Sequence, residues 1–576
     1  MKPTQPTSAS KSDWSVAAFV FGTWAMLSVG MLAYLYAFSS PIPFFDDLAV
    51  LSDFRPGEFP TATELLKPFN GHLKPIGRTA YWLSWNLADG SVRPLLFIQA
   101  LIMISSCLIV LWQLRRIRGM SSPDDVVIPL AMLAAEVWRQ LTWAILLTAI
   151  TATGLTTIML VTLMRDPARL DLKGIGFFCI SILYLVYQTA GGILTALGFL
   201  PFLGLLTIDR FHRGCAHRRG LGVAFVIISF IVLVSLTFQL GRPAAAIDDR
   251  ASVPQIVRAL AQGAAISFGG FAIAAWPLAA CVAIATIAVT LFELLRRDTE
   301  SFTKFDAASL LRSSLFAPSV LLVLAIGLGR GRTSGLAGHY FLAQTPLWVA
   351  VSAAWATLPS SPTKTLVLRS IALCLAVAWG LDFRPSLAFG RARRDETAQL
   401  LRDLHAGDHA DRIAANHSAY WDYGRTAVYE SQLGSIAALG KGPFGRLDLT
   451  PSFDFVDMCI DDCEFIDAAR DGDTWSVGVS SRLAFRSDGP MDAVRITFQV
   501  PTKVGSVYMV VVPHDDSALG WAQPNLTRRN VPLPPLSHEP VTQTFVFDRA
   551  TERFMLFPND SPCDFRILRV EAGRNR

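Results

Sequence analysis

Long, unbroken apolar runs fill the first two thirds of the chain and stop near residue 383. A bilayer core about 30 Å thick needs roughly 20 apolar residues in a helix to cross it. Runs of that kind lie near residues 16–38, 92–114, 141–164, 220–240, 268–294, 309–328, 339–358 and 364–383. Shorter runs lie near 126–140, 174–188 and 190–208. Together they predict about eleven transmembrane helices, hence a mainly α, polytopic membrane protein. Thr189-Ala190-Gly191-Gly192 predicts a turn or kink between two short helices. The run from Val16 to Phe38 is too long for a signal-peptide core and has no small-residue cleavage site after it, so it is expected to remain as the first span.

After residue 384 the pattern changes twice. Residues 391–440 read as helical, with Leu400, Leu401 and Leu404 at helical spacing and Gly407 as a stop. From about residue 475 the period becomes two. Val494, Ile496, Phe498 and Val500 alternate with Arg495, Thr497 and Gln499, and Val507, Met509 and Val511 repeat the pattern. The clusters Ser487-Asp488-Gly489-Pro490 and Pro513-His514-Asp515-Asp516 read as turns, so a small β-sandwich is expected. The resulting plan is a tail (1–13), a transmembrane domain (14–383) with a first outer loop (39–91), a helical connector (384–474) and a β-rich α+β end (475–576).

Charge gives this plan a direction. Arg115, Arg116 and Arg118 follow the second span, Arg165, Arg169 and Lys173 the fourth, Arg210, Arg213, Arg218 and Arg219 the sixth, and Arg296, Arg297 and Lys304 the eighth. These are alternate loops, and basic loops stay in the cytoplasm. The 39–91 loop, the 241–265 segment, the 329–338 loop and the C-terminal domain then lie outside, with the 1–13 tail inside. Composition agrees: 52% of residues are apolar and 17% are charged, against about 25% charged in soluble proteins. The net charge is only +5 and no basic tract marks a nucleic-acid partner. Of the eight cysteines, Cys459, Cys463 and Cys563 lie in the tail, where one disulfide and one leftover thiol would allow three pairings.

Two outer segments carry candidate chemistry. The first loop reads Pro41-Ile42-Pro43-Phe44-Phe45-Asp46-Asp47-Leu48, and further on Phe69-Asn70-Gly71-His72-Leu73-Lys74-Pro75-Ile76-Gly77-Arg78. Paired carboxylates beside a membrane suit a general base or a divalent cation such as Mg or Mn held by Asp46 and Asp47. A solvated loop with a helix-capping Asp is the plainer alternative. His72, Lys74 and Arg78 suit an anion. The second segment, Gly327 to Phe341, places Arg330 and Arg332 among glycines, ahead of His339 and Tyr340. Arginines there run against the positive-inside bias, and guanidinium forks suit phosphate oxygens. Snorkelling arginines anchoring two span ends are the alternative. Asp248-Asp249-Arg250 and Asp461-Asp462 read as polar loops, and Glu136 with Arg139 as a candidate intramembrane pair.

An acidic pair after the first span, Asn-x-His with a downstream Arg before the second, and a Gly/Arg-rich stretch ending in Tyr near a late span resemble the bacterial GT-C-type membrane glycosyltransferases. The resemblance covers residues 14–383. It implies a bacterial inner-membrane enzyme with a periplasmic C-terminal domain. Such an enzyme takes a sugar from a polyprenyl-phosphate donor and passes it, with inversion, to an extracytoplasmic glycan, lipid or protein acceptor. It places the catalytic carboxylate at Asp46 or Asp47 and substrate contacts at Asn70, His72, Arg78, Arg330, Arg332 and Tyr340. Where related sequences often carry Arg directly before the Tyr, this chain has His339, which shifts the phosphate-binding role to Arg330 or Arg332. Competing classes are a flippase or transporter for lipid-linked sugars, a polysaccharide polymerase or ligase, and a non-catalytic scaffold.

Overall fold

The computed structural model describes residues 11–44, 46–67, 74–165, 171–187, 190–214, 218–240, 252–296, 307–330, 336, 339–417, 426–459, 464–471, 474–499, 509–513, 528–529, 540–557 and 563–576. The helices run α1 Lys11–Phe38, α2 Asp47–Leu51, α3 Ala62–Leu65, α4 Pro75–Leu87, α5 Arg93–Arg118, α6 Val127–Met132, α7 Ala135–Gln140, α8 Leu147–Arg165, α9 Leu172–Val186, α10 Ala190–His212 and α11 Arg218–Leu240. They continue as α12 Val253–Ala265, α13 Gly270–Arg296, α14 Ala307–Ser314, α15 Ala317–Arg330, α16 His339–Thr357, α17 Pro362–Ala406, α18 Ala410–Asn416 and α19 Thr426–Ala438. By contacts the chain divides into two compact units. One holds residues 1–40, 61–81 and 92–394; the other holds 41–60, 82–91 and 395–576.

The first unit is the membrane unit. Among the described residues eight helices are long and apolar enough to cross a bilayer, so the chain is a multi-pass membrane protein. The other three expected crossings are less complete: residues 126–140 fold as the short helices α6 and α7, α9 is a shorter apolar helix, and α16 falls outside the eight. The expected outer segment 241–265 contains the amphipathic α12.

Small residues let the helices approach closely, the main source of packing when lipid competes for apolar contact. A Cβ on Gly198 of α10 would fall on the backbone of Pro318 in α15. One on Gly154 of α8 would meet Ser106 of α5 at 2.5 Å. Trp348 of α16 is fully buried, donates to the Ser267 carbonyl at 2.7 Å and lies against Phe268.

The charged residues sort to two ends of this unit. At one end Arg118 pairs with Asp125. Lys364, at the start of α17, lies within the electrostatic reach of both. Burial pushes the Asp125 carboxyl up, with Arg118 pulling against it. Arg312 of α14 also donates to the Met164 carbonyl, one residue from Arg165, at 3.2 Å. At the other end the Arg93 side chain, in the first turn of α5, donates to Ser39 at 2.8 Å. The helix ends assigned above to one side of the membrane are therefore neighbours in these pairs.

In the second unit Leu400 and Leu404 are buried on the far half of α17, and Gly407 takes φ of 73° just past its end. The strands are β1 Phe453–Asp457, β2 Glu464–Asp471, β3 Thr474–Gln499, β4 Met509–Pro513, β5 Arg528–Arg529, β6 Val541–Phe557 and β7 Cys563–Asn575. They form one sheet in the order β1-β7-β3-β6-β4-β5, with β2 on β3. The expected two-sheet β-sandwich is corrected on this point. Ser487-Asp488-Gly489-Pro490, read as a turn between strands, is a bulge inside the 26-residue β3, where the register against β6 shifts between Arg486 and Met491. A bulge bends the strand without ending it. The alternation itself holds: Val494, Ile496 and Phe498 are buried, with Phe554 and Leu556 in the same core. Cys459 is a free, exposed thiol, which removes the pairings that involve it; Cys463 lies outside the described residues.

Gly198→Ala should therefore force α10 and α15 apart and cost about 1–3 kcal/mol as overpacking. Gly176→Ala in α9, whose Cβ meets nothing within 4 Å, should be neutral or slightly stabilising. Thermal unfolding in detergent separates the two; equal midpoints would contradict the close approach. Phe554, fully buried and stacked on Phe485 at 4.9 Å, should cost about 3–5 kcal/mol on change to Ala. Hydrogen exchange in β3 and β6 reads that loss, and unchanged protection would count against this core.

Candidate functional site

The acidic pair sits on a tight turn in the second unit. Asp47 opens α2 and is 1% exposed. Its Oδ2 accepts the Phe44 N–H at 3.1 Å, while its own N–H donates to the Phe44 carbonyl at 3.0 Å. This pair of bonds closes the turn that aims the loop. Asp46 precedes α2 as its N-cap residue, makes no side-chain cap bond and is only partly buried. The two carboxylates thus have different surroundings: Asp47 is enclosed and bonded to its own turn, and Asp46 is the more accessible. Among the described residues no group of three or more His, Cys, Asp or Glu side chains is gathered as a metal site. A divalent cation bound here would have Asp46 and Asp47 as its carboxylate ligands.

The basic segment belongs to the membrane unit. Lys74 is half-buried and its carbonyl accepts the Arg78 N–H at 2.9 Å. Arg78 is 1% exposed and ranks among the largest fully buried side chains. The intervening Gly77 explains how α4 comes so close to α8: a Cβ there would lie 2.7 Å from Thr148. Any side chain would push the basic segment off α8. Thr153, one turn further along α8, donates to the Leu342 carbonyl of α16 at 3.0 Å. The segment carrying Lys74 and Arg78 and the start of α16, with half-buried Tyr340, are therefore both held against the first half of α8. That is the half away from Arg165.

The remaining expected site residues are placed less fully. Arg330 is the last residue of α15 and His339 the first of α16. Asn70, His72 and Arg332, like Asp248-Asp249-Arg250 and Asp461-Asp462, lie outside the described residues. The structure thus brings Lys74, Arg78 and Tyr340 to one end of one helix, whereas the acidic pair is part of the other unit.

A second polar group was only half visible in the sequence. Glu136, 3% exposed, accepts from Arg139 at 2.6 Å and from Gln140 at 2.8 Å, so the two residues expected to pair do so. Around it stand residues with no motif. Asp382 of α17 is 5% exposed and accepts the Gly270 N–H at 2.9 Å. Tyr34 of α1 donates to the Ser386 carbonyl at 2.9 Å, and Ser386 donates to the Ala135 carbonyl at 3.0 Å. Gly269 and Gly270 leave no room for a Cβ beside Asp382, and Phe341, next to Tyr340, lines the same contact. The signal that finds Asp382 is a single carboxylate near the end of an apolar run, where an ionisable group is costly without a partner.

No family model matches the chain. No curated protein matches it in sequence. Among solved structures, the chain is similar to the mycobacterial arabinofuranosyltransferase AftD, determined by single-particle cryo-electron microscopy, at 10% identity and a TM-score of 0.33. The match covers 98% of this chain and 59% of that one. This chain thus spans less than two thirds of that protein's length.

Proposed function

We propose that the chain is an integral membrane glycosyltransferase. It moves a sugar from a polyprenyl-phosphate donor to an acceptor on the outer face of a bacterial inner membrane, with the C-terminal unit in the periplasm. The observation that supports this most is that the Lys74–Arg78 segment and the start of α16 each lie against the half of α8 away from Arg165. By the positive-inside rule that half faces outward. Cationic side chains gathered there suit a phosphate whose lipid tail stays in the outer leaflet. Lys74, half-buried, is the contact we assign to the phosphate. Arg78, enclosed, acts through its charge, which is felt more strongly away from water.

In this scheme the acceptor hydroxyl oxygen attacks the anomeric carbon. The bond from that carbon to the phosphate oxygen breaks, and polyprenyl phosphate departs with the electron pair. The hydroxyl proton passes to Asp46, the accessible carboxylate, while Asp47 holds the turn. Positive charge at the phosphate stabilises the leaving group as the bond breaks. A second reading, transport of a lipid-linked saccharide, draws on the buried Glu136–Arg139 pair and on Asp382, since ionisable groups within spans mark transport pathways. Formation of a new glycosidic bond separates the two.

Asp46→Asn should lower the turnover of transfer by about 10²-fold or more, the usual worth of a general base, with an unchanged fold and little change in donor KM. Asp47→Asn keeps an oxygen for the Phe44 N–H and should lose less than about tenfold. Full activity in Asp46→Asn would remove the base assignment. Lys74→Gln should raise donor KM by roughly tenfold through loss of a charge-assisted contact. Donor KM unchanged in this variant would remove Lys74 from the phosphate site.

A further inference from the structure

A cleft of about 320 Å³ opens in the second unit, lined by residues outside the motifs discussed above, although α2, which follows Asp46, packs against α19, one of its walls. It lies between α18, α19 and the segment leading into β1, and is lined by Asp411, Glu430, Ser431, Leu449, Thr450 and Pro451 among others. Its volume is at the low end of ligand pockets, roughly 300–1,000 Å³, which is room for one or two small rings.

The lining divides by role. Asp411 is engaged by the protein itself: it accepts the Ser452 N–H at 2.8 Å, the Ser452 hydroxyl at 2.7 Å and the Arg412 N–H at 2.8 Å. Thr450 donates its hydroxyl to Asp448 at 2.8 Å and keeps acceptor lone pairs. Glu430, half-buried on α19, supplies the cleft's carboxylate beside the Ser431 hydroxyl. Leu449, 55% exposed, and Pro451 give an apolar strip at the rim.

We propose that this cleft is a binding site for a neutral saccharide of one or two rings, with Glu430 accepting hydrogen bonds from its hydroxyls. A carboxylate repels phosphate, nucleotide and other anionic ligands. The positive charge of Arg495 acts on Glu430 and offsets part of its field, so a strongly cationic ligand is not what the cleft selects. Hydroxyls beside a carboxylate, facing an apolar strip, match the alternating O–H and C–H faces of a sugar ring. Burial raises the Glu430 carboxyl above the ordinary glutamate range; Arg495 pulls against this and Asp411 adds to it. Binding should therefore weaken on acidification at a higher pH than an exposed glutamate would give.

The proposal does not rest on the transfer reaction, and its test uses no donor. Full-length protein in detergent is screened on an array of neutral oligosaccharides, and the best-retained compound is titrated. Saturable binding is expected, about tenfold weaker in Glu430→Gln through loss of a charge-assisted hydrogen bond and severalfold weaker in Ser431→Ala. The acid-induced weakening should disappear in Glu430→Gln. Thermal midpoints confirm that the variants fold, and Ser431→Ala carries the test if Glu430→Gln does not. No retained saccharide, binding indifferent to the folded variants, or preferential retention of spermidine would each overturn the proposal, whatever becomes of the transferase reading.

Discussion

The bilayer does not tolerate an unpaired charge, and the membrane unit is arranged around that constraint. Charge is tolerable only where water, lipid headgroups or an opposite charge can meet it. The chain obeys by sending charge to helix ends. Arg118, Asp125 and Lys364 gather at one end, and Arg93 with the Lys74–Arg78 segment at the other. The same constraint gives sidedness, because basic loops and outer loops then cannot exchange places without dragging charge through lipid.

The exceptions to this sorting stand out for that reason. Glu136 and Asp382 are buried carboxylates in the membrane unit, and each is met by a partner: half-buried Arg139 for Glu136, a backbone N–H for Asp382. Such groups are retained at a cost, and replacing one partner alone leaves a buried charge uncompensated. The Asp382–Gly270 bond joins α17 to α13, the neighbouring Tyr34–Ser386 and Ser386–Ala135 bonds join α17 to α1 and α7, and the Gly269–Phe341 contact continues the linkage to the start of α16. Glycines make these approaches physically feasible. Lipid supplies no strong drive for helices to associate, so close backbone packing and a few polar contacts must do it.

Much of this was legible in the sequence, and the lapses have local causes. Eight of the apolar runs correspond to helices long and apolar enough to cross a bilayer, because span length is set by bilayer thickness. Leu400, Leu404 and Gly407 gave the helix end because a glycine accepts φ of 73° without strain. The alternation of Val494, Ile496 and Phe498 gave the buried face of β3. The sandwich failed at Ser487–Pro490, since residues that favour turns also favour bulges and only pairing with β6 decides between them. At the site, the difference between Asp46 and Asp47 was invisible: adjacent, identical residues are told apart only by the turn that buries one of them. Asp382 and Glu430 belong to no spacing motif, because each acquires its meaning from chain far away in sequence.

Sidedness is the claim on which the transferase reading rests, and Cys459 offers a direct probe of it. Its thiol is free and exposed in the second unit. A variant retaining Cys459 as its only cysteine would be treated, in intact spheroplasts, with a maleimide that cannot cross membranes. The account predicts full labelling before the membrane is broken. Labelling only after disruption would put the second unit in the cytoplasm and contradict it.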